Sequence, residues 1–197
     1  MQRTGVALAG TTSLAGCSGL PFMGDDGPTG DGGNDLNAWT VKGGPDTTEM
    51  TITVTGPPRT SKWMYDPWIA WVAPGTTVTW EFKVRNQSVT AYHPDNQRPL
   101  RIPKGADSFD SQTVQGSGVK REFTLQKEGV YDYFSIPHET KGVVGSVIVG
   151  EPDPTPENEP GLQPPASNIV GGAADQIRKL NDHAIAALKG ETITTTE

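Results

Sequence analysis

Residues 77–84, Thr-Val-Thr-Trp-Glu-Phe-Lys-Val, alternate polar and apolar side chains along their whole length. This period of two places one face of a β-strand in a core and the other face in water. The same alternating pattern recurs in three more runs, at residues 50–54, 122–125 and 144–149. Turn signals containing glycine or proline separate the runs, at residues 56–58, 73–75 and 127–129. Short strands divided by such turns predict an all-β fold, an antiparallel sandwich, over residues 38–150.

The composition excludes several classes of protein. The chain has 197 residues, with 23 acidic and 16 basic side chains and a formal net charge of -7. Nucleic acid and anionic membrane surfaces are bound by clustered positive charge, so we predict no nucleic-acid partner. A single cysteine excludes an internal disulfide, a four-cysteine zinc site and a cysteine-bound iron–sulfur cluster.

The one cysteine, Cys17, closes the stretch Leu-Ala-Gly-Cys at 14–17. Small residues before a cysteine, after an apolar stretch, are typical of a bacterial or archaeal lipoprotein signal. We therefore predict a signal over residues 1–17 with lipidation at Cys17, the alternative being a disordered tail that contains the motif by chance. The apolar stretch is short for an export signal, so we expect the natural start to lie upstream of Met1.

Residues 18–37 are rich in glycine, aspartate and proline and predict a flexible acidic spacer. No later stretch approaches the ~18 consecutive apolar residues of a membrane span. We therefore expect a protein at the extracytoplasmic face of the cell membrane, attached by its lipid only.

The C-terminal part divides into a linker and a helix. Residues 151–168 hold six prolines and predict an extended acidic linker in which no helix persists. Within residues 169–197, apolar side chains at 177, 180, 184 and 188 predict an amphipathic helix over about 173–189. One such helix is not stable alone in water, so it should dock on the sandwich or on a partner.

Two of the three histidines, His93 and His138, follow predicted strands and precede turn-forming loops. They are candidate metal ligands, and the alternative is that each holds its own loop by a hydrogen bond. Ser135 lies near His138 in sequence, but no oxyanion element or glycine elbow accompanies this pair. We therefore predict that the chain is not an enzyme.

Three stretches resemble the cupredoxins, in particular the plastocyanin and halocyanin group of halophilic archaea: residues 73–80, the loop around His93, and residues 129–145. The family pattern GxYxYxCxxHxxxGM is matched at Gly129, Tyr131, Tyr133, His138 and Gly142. The resemblance covers about residues 45–150. It implies a Greek-key β-sandwich and a small copper protein that transfers electrons.

In that family a type 1 copper ion is held by a first-loop histidine, a cysteine thiolate, a second histidine and a weak axial methionine. Carried over to this sequence, the histidines fall on His93 and His138. The cysteine position falls on Ser135 and the methionine position on Val143. Both sulfur ligands are therefore replaced, and Cys17 belongs to the predicted leader.

Three functions remain open at this point. The first is weak, non-blue copper(II) binding through His93 and His138, aided by a carboxylate such as Glu139 or Asp95. The second is a copper-free binding or structural module, and the third is an electron carrier with an atypical site. A neutral serine hydroxyl is a poor and hard ligand that does not stabilise copper(I) as a thiolate does, which favours the first two. We expect a monomer, and the sequence does not indicate a redox partner.

Overall fold

The computed structural model describes residues 41–169 and 171–191. The predicted leader with Cys17 and the spacer 18–37 lie outside these residues. Nine strands of the described part form two sheets around one apolar core. The strands are β1 Lys42–Gly43, β2 Met50–Thr55, β3 Met64–Asp66, β4 Ile69–Val72, β5 Thr76–Phe82, β6 Thr90–Ala91, β7 Val119–Leu125, β8 Gly129–Phe134 and β9 Val144–Val149. One sheet has the order β1-β4-β9-β8-β6 and the other β3-β2-β5-β7.

The β-sandwich is confirmed, but its pairing is mixed rather than purely antiparallel. β2 runs parallel to β5, and β4 runs parallel to both β1 and β9. Between β2 and β5 the chain crosses to the other sheet to form β4 and then returns. Such a crossover lets two strands of one sheet run in the same direction, whereas a hairpin does not. Alternation along a strand does not encode this feature.

The four alternating runs fall on β2, β5, β7 and β9, with residues 83–84 just beyond β5, and most of their apolar side chains are buried. In β5 the side chains of Val78, Trp80 and Phe82 are buried while Thr77 is exposed. The strands β8 and β9 are buried on both faces along their whole length. A strand of this kind needs a second covering layer. The C-terminal part of the chain contributes to that layer.

The segment 159–163 packs on the sheet, so the prediction of an extended linker needs correction there. Pro160–Leu162 form a 3₁₀ turn with buried side chains beside β8. The turn is held by Arg101, whose guanidinium is 2% exposed and donates to the carbonyl oxygens of Gly161 and Gln163 at 2.7 Å. Proline prevents a longer helix, but buried carbonyl groups still need donors, and Arg101 supplies them.

Arg101 also forms a buried ion pair with Asp132 on β8, with 2.7 Å between Nε and Oδ2. Burial raises the pKa of Asp132, and the Arg101 guanidinium opposes that shift. The Ser146 hydroxyl donates to the other carboxylate oxygen, and Arg101 reaches Asn181 of the C-terminal helix at 3.1 Å. One buried guanidinium therefore joins the sheet, the turn and the helix.

The predicted C-terminal helix, α1, extends over Gly172–Leu188 and docks on β9 and on the 3₁₀ segment Ile136–Lys141. Its inward side chains include Ile177, Leu180 and Ala184, as the sequence predicts. At its start the backbone lies so close to that segment that a β-carbon on Gly142 would stand 2.9 Å from the Gly172 carbonyl oxygen. None of the described helices has the length and apolar character needed to cross a membrane.

A buried carboxylate at the start of the turn makes the stability depend on pH. Burial raises the pKa of Glu159 to about 7, with Asp132 and Glu128 adding repulsion. Its usual pKa is about 4.3, so the folded chain binds a proton more tightly than the unfolded chain between these values. The free energy of unfolding should therefore fall as pH rises from about 4.3 to 7.

Glu159→Gln should flatten this pH dependence and leave the variant more stable than the natural chain above pH 7. Urea denaturation across the pH range measures the effect, with Glu157→Gln, at an exposed position of the same segment, as the control. Equal curves for all three proteins would contradict the burial of an ionising Glu159.

Candidate functional site

The loop after β8 brings three predicted site positions together through its backbone. The Ser135 N–H donates to the Val143 carbonyl at 3.0 Å, and the His138 N–H donates to the Ser135 carbonyl at 2.9 Å. The Val143 N–H donates to the His138 carbonyl at 3.2 Å. Gly142 ends the 3₁₀ segment with φ 83, a left-handed conformation that favours glycine. Positions 135, 138 and 143 therefore converge, as the resemblance implies.

Ser135 is fully buried and faces a glutamine. Its hydroxyl donates to Gln87 Oε1 at 2.6 Å and accepts the backbone N–H of Ser88 at 3.2 Å. The Ser88 hydroxyl accepts the Ile136 N–H at 2.8 Å and so ties the same two segments together. Gln87 is fully buried as well. The side chain that approaches position 135 from the neighbouring loop is thus an amide.

The His138 ring is 5% exposed and stacks on Trp63, with ring centroids 4.4 Å apart and an interplanar angle of 23°. Its Nδ1 is buried and has no hydrogen-bond partner among the described residues. Burial lowers the pKa of His138, and the positive charge of Lys141 lowers it further. The ring is therefore neutral at neutral pH.

His93 lies at the far end of β6 from Ser135. The antiparallel register pairs Thr90 with Phe134, and the Tyr92 N–H donates to the Asp132 carbonyl. Residues that precede Thr90 therefore lie closer to Ser135, and residues that follow Tyr92 lie farther from it. The register thus brings Gln87, rather than His93, into contact with Ser135.

The His93 ring contacts Asp95. Its Nδ1 accepts the Asp95 N–H at 3.2 Å and lies 3.3 Å from the carboxylate of the same residue, where it caps the 3₁₀ turn Pro94–Asn96. The Glu139 carboxylate, proposed from sequence as a supplementary ligand, instead accepts bonds from Tyr92 at 3.1 Å and from Arg98 at 2.7 Å. Copper binding by His93 together with His138 stays a prediction.

These side chains do not fit a type 1 copper ion. The ligands of one metal ion lie close together in the folded chain. The positions that come together here carry Gln87, Ser135, His138 and Val143. The set contains no sulfur and one imidazole, whereas a blue site needs a thiolate and two imidazoles. Among the described residues, no group of three or more histidine, cysteine, aspartate or glutamate side chains is arranged to hold a metal ion.

Sequence reasoning missed Gln87. The tripeptide Asn86-Gln87-Ser88 matches a glycosylation acceptor pattern and gives no metal-site signal, because glutamine is not among the usual imidazole or sulfur ligands. The nearest histidine in sequence, His93, took its place in the prediction. Only the register of β6 on β8 shows that Gln87, and not His93, is the residue that meets Ser135.

Known proteins agree with the fold and with the resemblance. Residues 59–150 match the sequence profile of copper binding proteins of the plastocyanin/azurin family. A halocyanin from Natronomonas pharaonis is 31% identical over 101 residues, which cover 51% of this chain and 56% of the relative. The chain thus spans about half the length of this curated relative.

Solved structures of pseudoazurins have the same fold. One from Sinorhizobium meliltoi superposes with a TM-score of 0.53 at 20% identity, over 73% of this chain and 98% of the pseudoazurin. Another, from Methylobacterium extorquens AM1, gives 0.53 at 21% identity, over 69% and 98% of the two chains. Together with the profile match and the converging loop positions, these findings show that the described β-sandwich has the cupredoxin fold and that residues 59–150 are similar to the copper-binding plastocyanin/azurin family.

Proposed function

We propose that this chain is a cell-surface cupredoxin that does not carry electrons through a type 1 copper ion and acts as a copper-free binding or structural module. One observation carries the proposal: the buried Ser135 hydroxyl is already committed to Gln87 and to the Ser88 amide. The cysteine position thus carries a hydroxyl that already donates one hydrogen bond and accepts another. Val143, also buried, offers an aliphatic group in place of the axial thioether.

Ligand chemistry supports this proposal. A serine hydroxyl is protonated at neutral pH, and as a hard oxygen donor it does not stabilise copper(I). Rapid cycling between copper(I) and copper(II) depends on a covalent copper–thiolate bond, which the described residues do not supply. Catalysis by Ser135 is not expected either, because its fully buried hydroxyl is out of a substrate's reach.

The proposed location rests on the sequence of the leader. A lipid on Cys17, followed by the spacer 18–37, would hold the sandwich near the outer face of the membrane. We expect the mature protein to be a monomer, with its partner still to be identified.

A second function, weak copper(II) binding, is favoured by the unpartnered Nδ1 of His138. A neutral imidazole with a free lone pair is a good copper(II) ligand. With His93 or Glu139 as a further donor, such a site would be tetragonal and pale. It would bind copper(II) without the properties of an electron carrier.

The test is to add one equivalent of copper(II) to the full chain, remove unbound metal, and record metal content with optical and paramagnetic-resonance spectra. We expect little retained copper and no intense blue band. A blue band that is bleached by ascorbate and restored by ferricyanide would contradict the proposal. A pale tetragonal spectrum that is lost in His138→Ala and in His93→Ala, but kept in the control His183→Ala, would establish the second function instead.

A further inference from the structure

Two buried polar atoms of the site have no hydrogen-bond partner among the described residues: Gln87 Nε2 and His138 Nδ1. They belong to one cluster. Gln87 is joined to Ser135 through its amide oxygen, and Ser135 and His138 stand three positions apart at the start of a 3₁₀ segment. Ser135 is the extended residue that precedes this segment, and its carbonyl oxygen accepts the His138 N–H at 2.9 Å, which keeps the two residues adjacent. Buried polar groups without partners are rare in folded proteins and call for a bound water or ion.

The orientation of the Gln87 amide determines what fits. The contact between Ser135 Oγ and the amide is 2.6 Å, the length of a short O–H···O bond and too short for most N–H···O bonds. The amide oxygen therefore faces Ser135. The Ser135 hydroxyl uses its hydrogen on Gln87 and accepts the Ser88 N–H, so the amide NH₂ group is directed away from this contact.

The cluster thus presents a donor, the NH₂ group of Gln87, and a ring nitrogen, His138 Nδ1, that accepts a hydrogen bond in the tautomer with the proton on Nε2. A cation is disfavoured beside this NH₂ group because the amide hydrogens carry partial positive charge. A water molecule satisfies both groups, since it accepts from one and donates to the other. Buried waters typically make about three such bonds to groups that lack partners.

We infer that a single buried water bridges Gln87 Nε2 and His138 Nδ1 at the place where relatives hold copper, and that the Gln87–Ser135 pair excludes metal cations from it. This inference rests on the proposed function, because it explains why the site takes no copper. The inference goes beyond the proposed function because it identifies the ligand of the site as a water molecule. It also identifies Gln87 as the residue that selects water over a cation.

The water is tested on the natural full chain by nuclear magnetic resonance. We expect nuclear Overhauser effects between the Gln87 side-chain NH₂ protons and a long-lived water. These signals should be distinct from those that arise from proton exchange with solvent. The nitrogen shifts of His138 should show a neutral ring with the proton on Nε2 and a hydrogen bond accepted at Nδ1. A proton on Nδ1, or a Gln87 amide with no water contact, would overturn the bridging water.

Cation exclusion is tested by Gln87→Glu, which replaces the NH₂ donor by a second acceptor oxygen. Titrated with Zn²⁺ and followed by the His138 nitrogen shifts, this variant should bind at least about tenfold more tightly than the natural chain, as a charged ligand oxygen would give. Gln126→Glu, the same change at an exposed position, should leave Zn²⁺ binding unchanged.

The outcomes separate the two proposals. Equal Zn²⁺ affinity for a folded Gln87→Glu variant and the natural chain would overturn cation exclusion by Gln87 while the absence of blue copper stands. If Gln87→Glu does not fold, the measurement on the natural chain still decides whether the water is present. Blue copper in the natural chain would overturn the proposed function itself.

Discussion

Replacing Gln87→His, Ser135→Cys and Val143→Met in one chain should create a blue copper protein. The three changes supply a second imidazole, a thiolate and a thioether at positions that already meet in the folded chain, beside the existing His138. A thiolate with two imidazoles and a weak axial thioether is the ligand set of a type 1 site. Reconstitution with copper(II) should give an intense blue absorption and one bound copper per chain.

Three matched variants identify the first-loop ligand in this experiment. The double change Ser135→Cys, Val143→Met keeps Gln87 and should bind copper more weakly, with little blue absorption. Adding His93→Ala to the triple variant should leave the blue band unchanged, whereas adding His138→Ala should abolish it. A blue band that depends on His93, or a double variant as blue as the triple, would show that Gln87 is not the ligand position.

Arg101→Met should lower the free energy of unfolding by about 3–5 kcal/mol, the usual effect of removing one partner from a buried ion pair. Asp132 would stay fully buried without its countercharge, the Gly161 carbonyl would lose its Arg101 donor, and the Gln163 carbonyl would keep only the Asn181 amide. Because Arg101 also reaches Asn181, the turn 159–163 and helix α1 should become sensitive to proteolysis.

Urea denaturation measures this loss, and Arg178→Met is the control. Arg178 pairs with Asp175 on the exposed face of α1, where ion pairs contribute little to stability. A similar small change in both variants would show that Arg101 does not hold the C-terminal part of the chain on the sheet.

The parts of the fold that follow from local patterns could be predicted. Alternation located the strand that contains Trp80, and helical spacing located α1 within a residue at each end. These features depend on which side chains face the core, and each segment shows that pattern in its own sequence. The resemblance to the cupredoxin pattern implies the loop positions Ser135, His138 and Val143, and backbone hydrogen bonds at the 3₁₀ segment bring these positions together.

The features that depend on distant segments could not be predicted. The parallel pairing of β2 with β5 is set by a crossover, and the burial of 159–162 depends on Arg101, some 60 residues earlier in the chain. Gln87 reaches Ser135 from 48 positions away. Residue type and the family resemblance predict His93 as a ligand, whereas the register of β6 on β8 places Gln87 against Ser135.

The most direct test is anomalous diffraction at the copper edge from crystals of the natural chain grown with copper(II). It shows whether the site around Ser135 and His138 binds copper. We predict no anomalous peak within bonding distance of Ser135 or of His138 Nδ1, and ordinary water density between that nitrogen and Gln87 Nε2. An anomalous peak at that place, coordinated by His138 and at copper occupancy matching the protein, would contradict the proposed function.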